Sequence, residues 1–294
     1  MILNGSVKMY DVVIIGAGPA GLFTAYELIT NNPKLKIAIL DKGKRAENRT
    51  CPMKDNKPCA NCNPCAILSG YGGAGTFSDG KLNFIPKLGK SDLFKYMDQS
   101  SAYQLIDDTE KIFNEFGMDS NIYPSNMEDA NKIKEKITKL GSNLLIIKQK
   151  HLGSDKLPSY IKNFTDFLEN HNVTIIENAN VTDIESKNKS NYNVIYKKAN
   201  KEQMINCNYV VVAPGRTGAK WIQELADKYN IPYISQSIEI GVRVEVRKEI
   251  LDEITSVIYD PTIFIKTDTY NDEIRTFCTN PGGFVAKERY EGYI

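Results

Sequence analysis

A short apolar run that breaks on a cluster of glycines constrains this chain more than any other feature. Asp11-Val-Val-Ile-Ile15 is β-branched and apolar, and it leads directly into Gly16-Ala-Gly18-Pro-Ala-Gly21. Leu22 to Thr30 follows with helical spacing, and a second apolar run, Ile37-Ala-Ile-Leu40, ends on Asp41. Strand, glycine turn, helix, strand and acid stand in the order that a dinucleotide site requires.

Each part of the segment has a mechanical reason. Gly16 lets the chain turn sharply out of its strand, Gly18 lets a pyrophosphate approach the backbone, and Gly21 allows close packing of helix on strand. Pro19 and Ala20 open the helix, whose N-terminus presents N–H groups and partial positive charge to phosphates. Asp41, twenty residues beyond Gly21, is placed to accept hydrogen bonds from a ribose diol. The fingerprint alone does not distinguish FAD from NAD.

With 294 residues the chain can hold one large domain or two moderate ones. A formal net charge of +1 gives no global electrostatic case for nucleic acid or an anionic membrane. No apolar run approaches the length that spans a bilayer, and Met1-Ile-Leu-Asn-Gly-Ser6 lacks the features of a signal peptide. The expectation is a cytoplasmic protein in a reducing compartment that acts on a small-molecule substrate.

The pattern beyond residue 43 predicts an α/β protein with a parallel sheet. Asn31-Asn32-Pro33 stops the first helix. Residues 44–150 read first as a Cys/Gly-rich loop and then as a helix after Ser91-Asp92, with Leu105, Thr109, Ile112 and Phe116 on a core-facing stripe closed by Gly117. Leu144–Ile147, Val173–Ile176, Val181–Ile184, Tyr192–Tyr196 and Ile205–Val212 read as strands, and 156–170 as a helix. Tyr209-Val-Val-Val-Ala213 is apolar enough to predict burial on both faces. It leads through Pro214-Gly215 into a helix carrying Trp221, Leu225 and Tyr229. After residue 235 the pattern turns β-rich, with alternation over Ile238–Val246 and a strand-like stretch over Ser256–Ile265. The domain reading is a discontinuous Rossmann-like dinucleotide-binding domain (1–48 and 151–235), an inserted segment (49–150) and a partial β-rich substrate domain (236–294).

Tyr209 to Gly218, passing through Ala213-Pro214-Gly215, resembles the second flavin-contacting strand of two-dinucleotide-fold flavoproteins. Asn180-Val181-Thr-Asp-Ile184 resembles their adenine-side segment, and Asp41-Lys42-Gly43 the acid and glycine after their second strand. A closer likeness is carried by Gly70-Tyr-Gly-Gly73-Ala-Gly75-Thr-Phe-Ser-Asp79-Gly-Lys81-Leu-Asn83, with His151–Lys156, Gly241–Glu245 and Arg275–Gly283 as further blocks. Together they resemble a largely uncharacterised bacterial family of FAD-dependent dehydrogenases, NAD(P)/FAD-dependent oxidoreductase-like, and cover nearly the whole chain. The resemblance implies FAD as resident cofactor and a dehydrogenase or reductase activity. Members run longer than 294 residues, so it also implies a C-terminal part that completes the substrate domain.

Four of the six cysteines crowd together as Cys51, Cys59, Cys62 and Cys65, spaced C-x7-C-x2-C-x2-C. The last three match the run that holds cubane iron–sulfur clusters, and Cys51-Pro52 matches a common fourth ligand. A [4Fe-4S] cluster, zinc, redox-active thiols and unliganded cysteines all remain open readings. Cys207 and Cys278 are isolated, and apolar packing is the expectation for both.

Asp79 and Lys81 are the charged groups the glycine-rich loop presents, with Lys81 a candidate to stabilise negative charge on a reduced flavin. His151, one of two histidines, is a candidate proton donor. Arg275 is a candidate for an anionic substrate group. No second complete glycine fingerprint occurs, so NAD(P)H would act only as a transient electron donor. The leading reading is an FAD-dependent oxidoreductase. Its rivals are a flavin/iron–sulfur electron-transfer component and a non-catalytic FAD-binding module.

Overall fold

The computed structural model describes residues 9–55, 57–78, 80–153, 155–188, 190–235 and 238–283. In chain order the strands are β1 (Met9–Ile15), β2 (Ile37–Leu40), β3 (Lys81–Asn83), β4 (Lys87–Leu88), β5 (Ser91–Asp92), β6 (Ile122–Tyr123) and β7 (Asn143–Leu145). They continue with β8 (Gln149–His151), β9 (Val173–Ile176), β10 (Asn180–Asn188), β11 (Asn191–Lys198), β12 (Lys201–Val212), β13 (Thr262–Lys266) and β14 (Glu273–Arg275). The α-helices are α1 (Pro19–Asn31), α2 (Gln99–Glu115), α3 (Met127–Lys139), α4 (Leu157–Asn170), α5 (Ala219–Lys228) and α6 (Lys248–Thr255).

The described residues fall into two compact units, one drawn from Met1–Ser78 and Ser154–Ile238, the other from Asp79–Gly153 and Glu239–Lys287. Residues 49–78, expected as part of an insertion, group with the first unit; of the domain expected over 236–294, the described residues 239–283 group with 80–153.

The first unit is a Rossmann-like α/β fold around a sheet of order β10-β11-β12-β1-β2-β9. β12, β1, β2 and β9 run parallel, whereas β10, β11 and β12 form an antiparallel meander. From Val12 onward β1 is apolar because it lies between two parallel neighbours; Val13, Ile14 and Ile15 are buried. Side chains alternate across the sheet. Val13 and Ile15 join a cluster with Ala38, Leu40, Ile184 and Val194, against which Trp221 and Leu225 of α5 pack. α1 buries Gly21, Leu22, Ala25 and Ile29, and α4 buries Leu157, Tyr160, Ile161, Phe164, Thr165 and Leu168, each at helical spacing. The two helices meet where Phe23 sets its ring edge-on to Phe164, 5.2 Å between centroids.

One expectation for this unit changes. The apolar stretch at the end of β12 is not buried on both faces: Tyr209 is 65% exposed and Val210–Val212 are half-buried. Pairing with β11 ends at Cys207, so from Asn208 onward β12 has a neighbour on one side only. Cys207 itself is buried as expected, and burial pushes its thiol up to about 11.

The second unit has small antiparallel sheets of order β14-β13-β7 and β3-β8-β6 and the hairpin β4-β5. Ala130, Ile133 and Ile137 of α3 pack with Leu144 and Ile258. The expected helix appears as α2, but its cap is Asp98, which accepts from Ser101 N–H at 3.0 Å. Asp92 instead caps the short helical turn at Leu93–Lys95. Of the expected stripe Phe116 is buried, Thr109 and Ile112 are half-buried and Leu105 is exposed, while α2 also turns Ala102 and Glu110 inward. Ile238–Val246 forms no strand. Ile238, Ile240, Val242 and Val244 are 70–90% exposed, and no described strand pairs with them. Of Ser256–Ile265, only the portion from Thr262 is a strand, while α6 was not foreseen. No helix among the described residues is long and apolar enough to cross a membrane.

Candidate functional site

The centre of the first unit's candidate site is Ala17, where three chain segments converge. Its N–H donates to Asp41 Oδ2 at 2.8 Å, and its carbonyl accepts from Gly72 N–H at 2.8 Å. On one side of it, Gly16 N–H donates to Leu40 O at 2.8 Å; on the other side of Gly16, Ala213 N–H donates to Ile15 O at 2.8 Å. The glycine turn, the end of β2, the end of β12 and the glycine-rich loop thus form one hydrogen-bonded surround.

Glycine is required at two of these positions by space. Gly16 has φ +104°, and a Cβ there would fall 2.2 Å from Ala213 O. A Cβ at Gly21 would fall 1.9 Å from Gly16 O, which is the close helix-to-strand approach the fingerprint predicts. Gly18, the N-cap of α1, has extended backbone and faces Gly73, whose φ is +66°. No side chain caps α1, Pro19 takes its first position, and its first turn holds no acid. No acid of the helix's own first turn therefore opposes the N–H groups and dipole of that helix start. Pro19 and Ala20 are exposed.

Asp41 is 8% exposed and does more than was expected of it. Its Oδ2 holds Ala17 N–H and its Oδ1 accepts from Gly43 N–H at 2.7 Å. The carboxylate is first a tie between β2 and the glycine turn. A carboxylate offers about four lone-pair sites, so acceptor capacity remains for a ligand. Lys42 is turned toward the other segment of the site, its Nζ 3.2 Å from Thr217 O. Val181 pairs with Tyr196 on the meander and packs on the cluster that holds Val13 and Ile15. Gly215 has φ +64° and Gly75 has no atom within 4 Å of a Cβ position, so both present open backbone. Of the expected cofactor-side residues, the structure brings Gly16, Ala213 and Pro214 together, Gly18 with Gly73, and Lys42 with the Thr217 turn.

Sequence reasoning passed over Arg49. Its guanidinium is 3% exposed and makes five hydrogen bonds: Nε to Ala66 O, Nη2 to Ile67 O, and Nη1 to Tyr71 O, Gly73 O and Thr76 Oγ1. Burial holds its proton affinity down, to a pKa of about 10. The signal available was a basic residue just before the cysteine run, which is uninformative without the fold. In the same loop Tyr71 is 1% exposed and its hydroxyl finds no hydrogen-bond partner among the described residues. Its ring carries Arg45 at 5.5 Å, and burial drives its hydroxyl to a higher pKa.

The four clustered cysteines do not assemble a metal site. Cys62 is exposed, Cys51, Cys59 and Cys65 are half-buried, and all four are free thiols. Among the described residues no group of three or more His, Cys, Asp or Glu side chains is placed to hold a metal ion. The spacing that matched a cluster motif is local, whereas ligation needs all four sulfurs to point at one centre.

In the second unit, Lys81 and His151 stand opposite one another on β3 and β8. Asp79 lies outside the described residues. Lys81 Nζ is ion-paired with Asp260 Oδ2, with side-chain exposures of 10% and 7%. Asp260 also accepts from Thr279 N–H at 2.7 Å and is framed by Gln149, whose Oε1 accepts from Asp260 N–H at 3.2 Å. The charge on Lys81 is thus already engaged. His151 Nε2 lies 2.8 Å from Tyr259 Oη, and the two rings stack at 4.1 Å. Tyr259 Oη also donates to Asn280 Oδ1 at 3.0 Å, so the phenol bridges the imidazole and the amide. Tyr259 and Asn280 are the site residues that sequence reasoning missed. Arg275 donates to Glu239 at 2.7 Å, stacks over Phe277 at 4.8 Å and lines a cavity of about 370 Å³ with Asn83, Lys90 and Ser91.

Residues 5–45 match the Thi4 family model. The mitochondrial L-2-hydroxyglutarate dehydrogenase of Dictyostelium discoideum is 52% identical over 48 residues, which is 16% of this chain and 10% of that protein. Among solved structures, a flavoprotein/dehydrogenase from Cytophaga hutchinsonii is 13% identical with TM-score 0.34, over 76% of this chain and 42% of that one. Glycine oxidase from Geobacillus kaustophilus is 17% identical with TM-score 0.45, over 76% of this chain and 59% of its own. The L-amino acid deaminase of Proteus vulgaris is 16% identical with TM-score 0.42, over 78% and 52% respectively. This chain therefore spans between about two fifths and three fifths of those structures and a tenth of the curated relative.

Proposed function

We propose that this chain binds FAD in its first unit and serves an FAD-dependent oxidoreductase, a dehydrogenase or reductase acting on a small molecule. The observation that carries the reading is the convergence on Ala17. A glycine turn, an uncapped helix start and an acid at the end of the next strand are locked together by hydrogen bonds from both sides of the residue. The fit to a dinucleotide rests on the space around Gly18 and Gly73, the first turn of α1 without an acid, and the unpartnered Tyr71 hydroxyl.

In this reading the N–H groups of Ala20 and Gly21 at the start of α1 hold the pyrophosphate, with Gly16 and Gly18 giving it room. Asp41 accepts from the ribose, and Lys42 stands beside it. Gly73 and Gly75 offer open backbone, Val181 belongs to the adenine side, and Ala213-Pro214-Gly215 to the ribityl side. Bound FAD would supply hydride or electron transfer, and the protein supplies position and electrostatics. In the second unit His151 is the proposed proton donor, oriented by its contact and ring stacking with Tyr259, and Lys81 is fixed by Asp260. Asp79 is retained as a candidate from its place in the glycine-rich loop. No iron–sulfur or zinc step enters the proposal, because the cysteines are not gathered as ligands.

The test is the spectrum of the purified protein, with FAD added if it arrives colourless. The reading expects an oxidised-flavin spectrum that bleaches with dithionite and returns in air. A folded protein that neither carries flavin nor takes it up would overturn it. His151→Gln should lower turnover with a found substrate by about 10²–10⁴-fold while leaving flavin binding intact; unchanged turnover would remove His151 from the mechanism.

A further inference from the structure

Arg49 is a buried cation whose hydrogen-bond partners among the described residues are all neutral. Four of its acceptors are backbone carbonyls and the fifth is the hydroxyl of Thr76. Among the described residues no carboxylate forms an ion pair with it. The negative charge of Asp41 favours its protonated form from a distance, but both Asp41 oxygens are already held, by Ala17 N–H and Gly43 N–H. The flat face of the guanidinium is taken by the ring of Phe77 at 4.8 Å.

Buried charges are normally paired, because an unpaired one loses its hydration without compensation. A fully bonded guanidinium with no carboxylate in direct contact among the described residues, and Asp41 acting on it only from a distance, is therefore in an unfinished environment. What it holds tells where completion comes from. Through Gly73 O, at 2.9 Å, it is one hydrogen bond from the residue that faces Gly18 across the glycine turn. It also draws in the carbonyls of Tyr71 and Gly73, whose negative ends would otherwise repel an anion beside that turn. The same guanidinium pins the carbonyls of Ala66 and Ile67, so one side chain sets the path of the whole glycine-rich loop.

We infer that Arg49 is a positioning residue for the dinucleotide, whose buried charge is balanced by the ligand's pyrophosphate when the cradle at Gly18 and Gly73 is filled. The inference rests on the proposed dinucleotide site and goes beyond it, since nothing in the glycine fingerprint assigns a buried cation. It makes binding depend on phosphate charge, not only on adenine fit.

The test is the preference for ADP over adenosine, measured as the ratio of their dissociation constants in competition with FAD. Wild type, Arg49→Lys and Arg49→Gln are compared after confirming that each unfolds cooperatively. Arg49→Gln should reduce that ratio by about tenfold or more, equivalent to about 1.4 kcal/mol. Arg49→Lys keeps the charge and should retain the ratio within about threefold, even though it breaks the fork of bonds to the loop and weakens both ligands together. A ratio unchanged in folded Arg49→Gln would overturn the inference and leave Arg49 purely structural. If Arg49→Gln does not fold, a ratio reduced tenfold in Arg49→Lys would overturn it equally, because the charge is still present. Wild-type protein that binds neither FAD nor ADP would refute the dinucleotide site itself, a different result from a bound ligand whose phosphate preference ignores Arg49.

Discussion

At the scale of single residues, the glycine turn is held by space that admits no side chain. Gly16→Ala would place a methyl carbon 2.2 Å from Ala213 O at a positive φ. The expected cost is about 2–4 kcal/mol of stability, read as a lower denaturation midpoint, together with loss of flavin uptake; a neutral variant would mean that the turn is not built this way. Tyr71→Phe removes a buried hydroxyl that has no partner among the described residues. Without ligand the variant should match or exceed wild-type stability by up to about 1 kcal/mol. A loss beyond that would reveal a partner. Cys207 gives a pH signature. Its pKa is raised from 9.0 to about 11 in the fold, so the neutral thiol is favoured there. The stabilisation is complete below about pH 9 and fades as pH rises through about 11. Wild type should therefore lose more stability than Cys207→Ala between those values, and parallel profiles for the two proteins would contradict it.

At the scale of elements, what was legible and what was not follow from how local the cause is. β1, α1 and β2 were readable because their pattern is local: an apolar strand, a proline at the first helical position, and glycines where a Cβ has no room. α4 matched for the same reason, with its buried stripe at helical spacing. α3 carried a signal that was overlooked. Asn126 caps it by accepting from Glu128 N–H at 2.8 Å, acids fill its first turn, and Lys136 and Lys139 its last. Asn126→Ala should cost about 1 kcal/mol, measured by urea denaturation; no change would mean that the cap is not formed.

Ile238–Val246 failed in the opposite direction. Alternation describes which faces a strand would present, but a strand exists only with a partner to hydrogen-bond, and that is not a local property. Val242 is 88% exposed, so Val242→Lys should shift stability by less than about 0.5 kcal/mol. A larger loss would show that the segment is packed after all. The end of β12 teaches the same lesson, since its apolar residues lose a neighbour where β11 stops. Arg49, Tyr259 and Asn280 were illegible because their partners lie far along the chain or are backbone carbonyls, which leave no mark in sequence.

At the scale of the whole molecule, the two units divide the chemistry as proposed. The first holds the glycine turn, Asp41, Arg49 and the glycine-rich loop as far as Ser78; the second holds His151, Tyr259, Lys81 and Asp260. The family-model match is confined to residues 5–45, the segment with the strongest local pattern. The cysteine run shows the limit of spacing as evidence, since a motif that suggested a cluster is not drawn together by the fold. Calorimetric titration of the flavin-free protein with FAD tests the account most directly. One FAD should bind per chain with a dissociation constant that Gly18→Asp weakens at least about a hundredfold, because the added side chain would put a carboxylate at the start of α1. A cooperatively folded protein that releases no heat on mixing with FAD and shows no change in flavin fluorescence would contradict it.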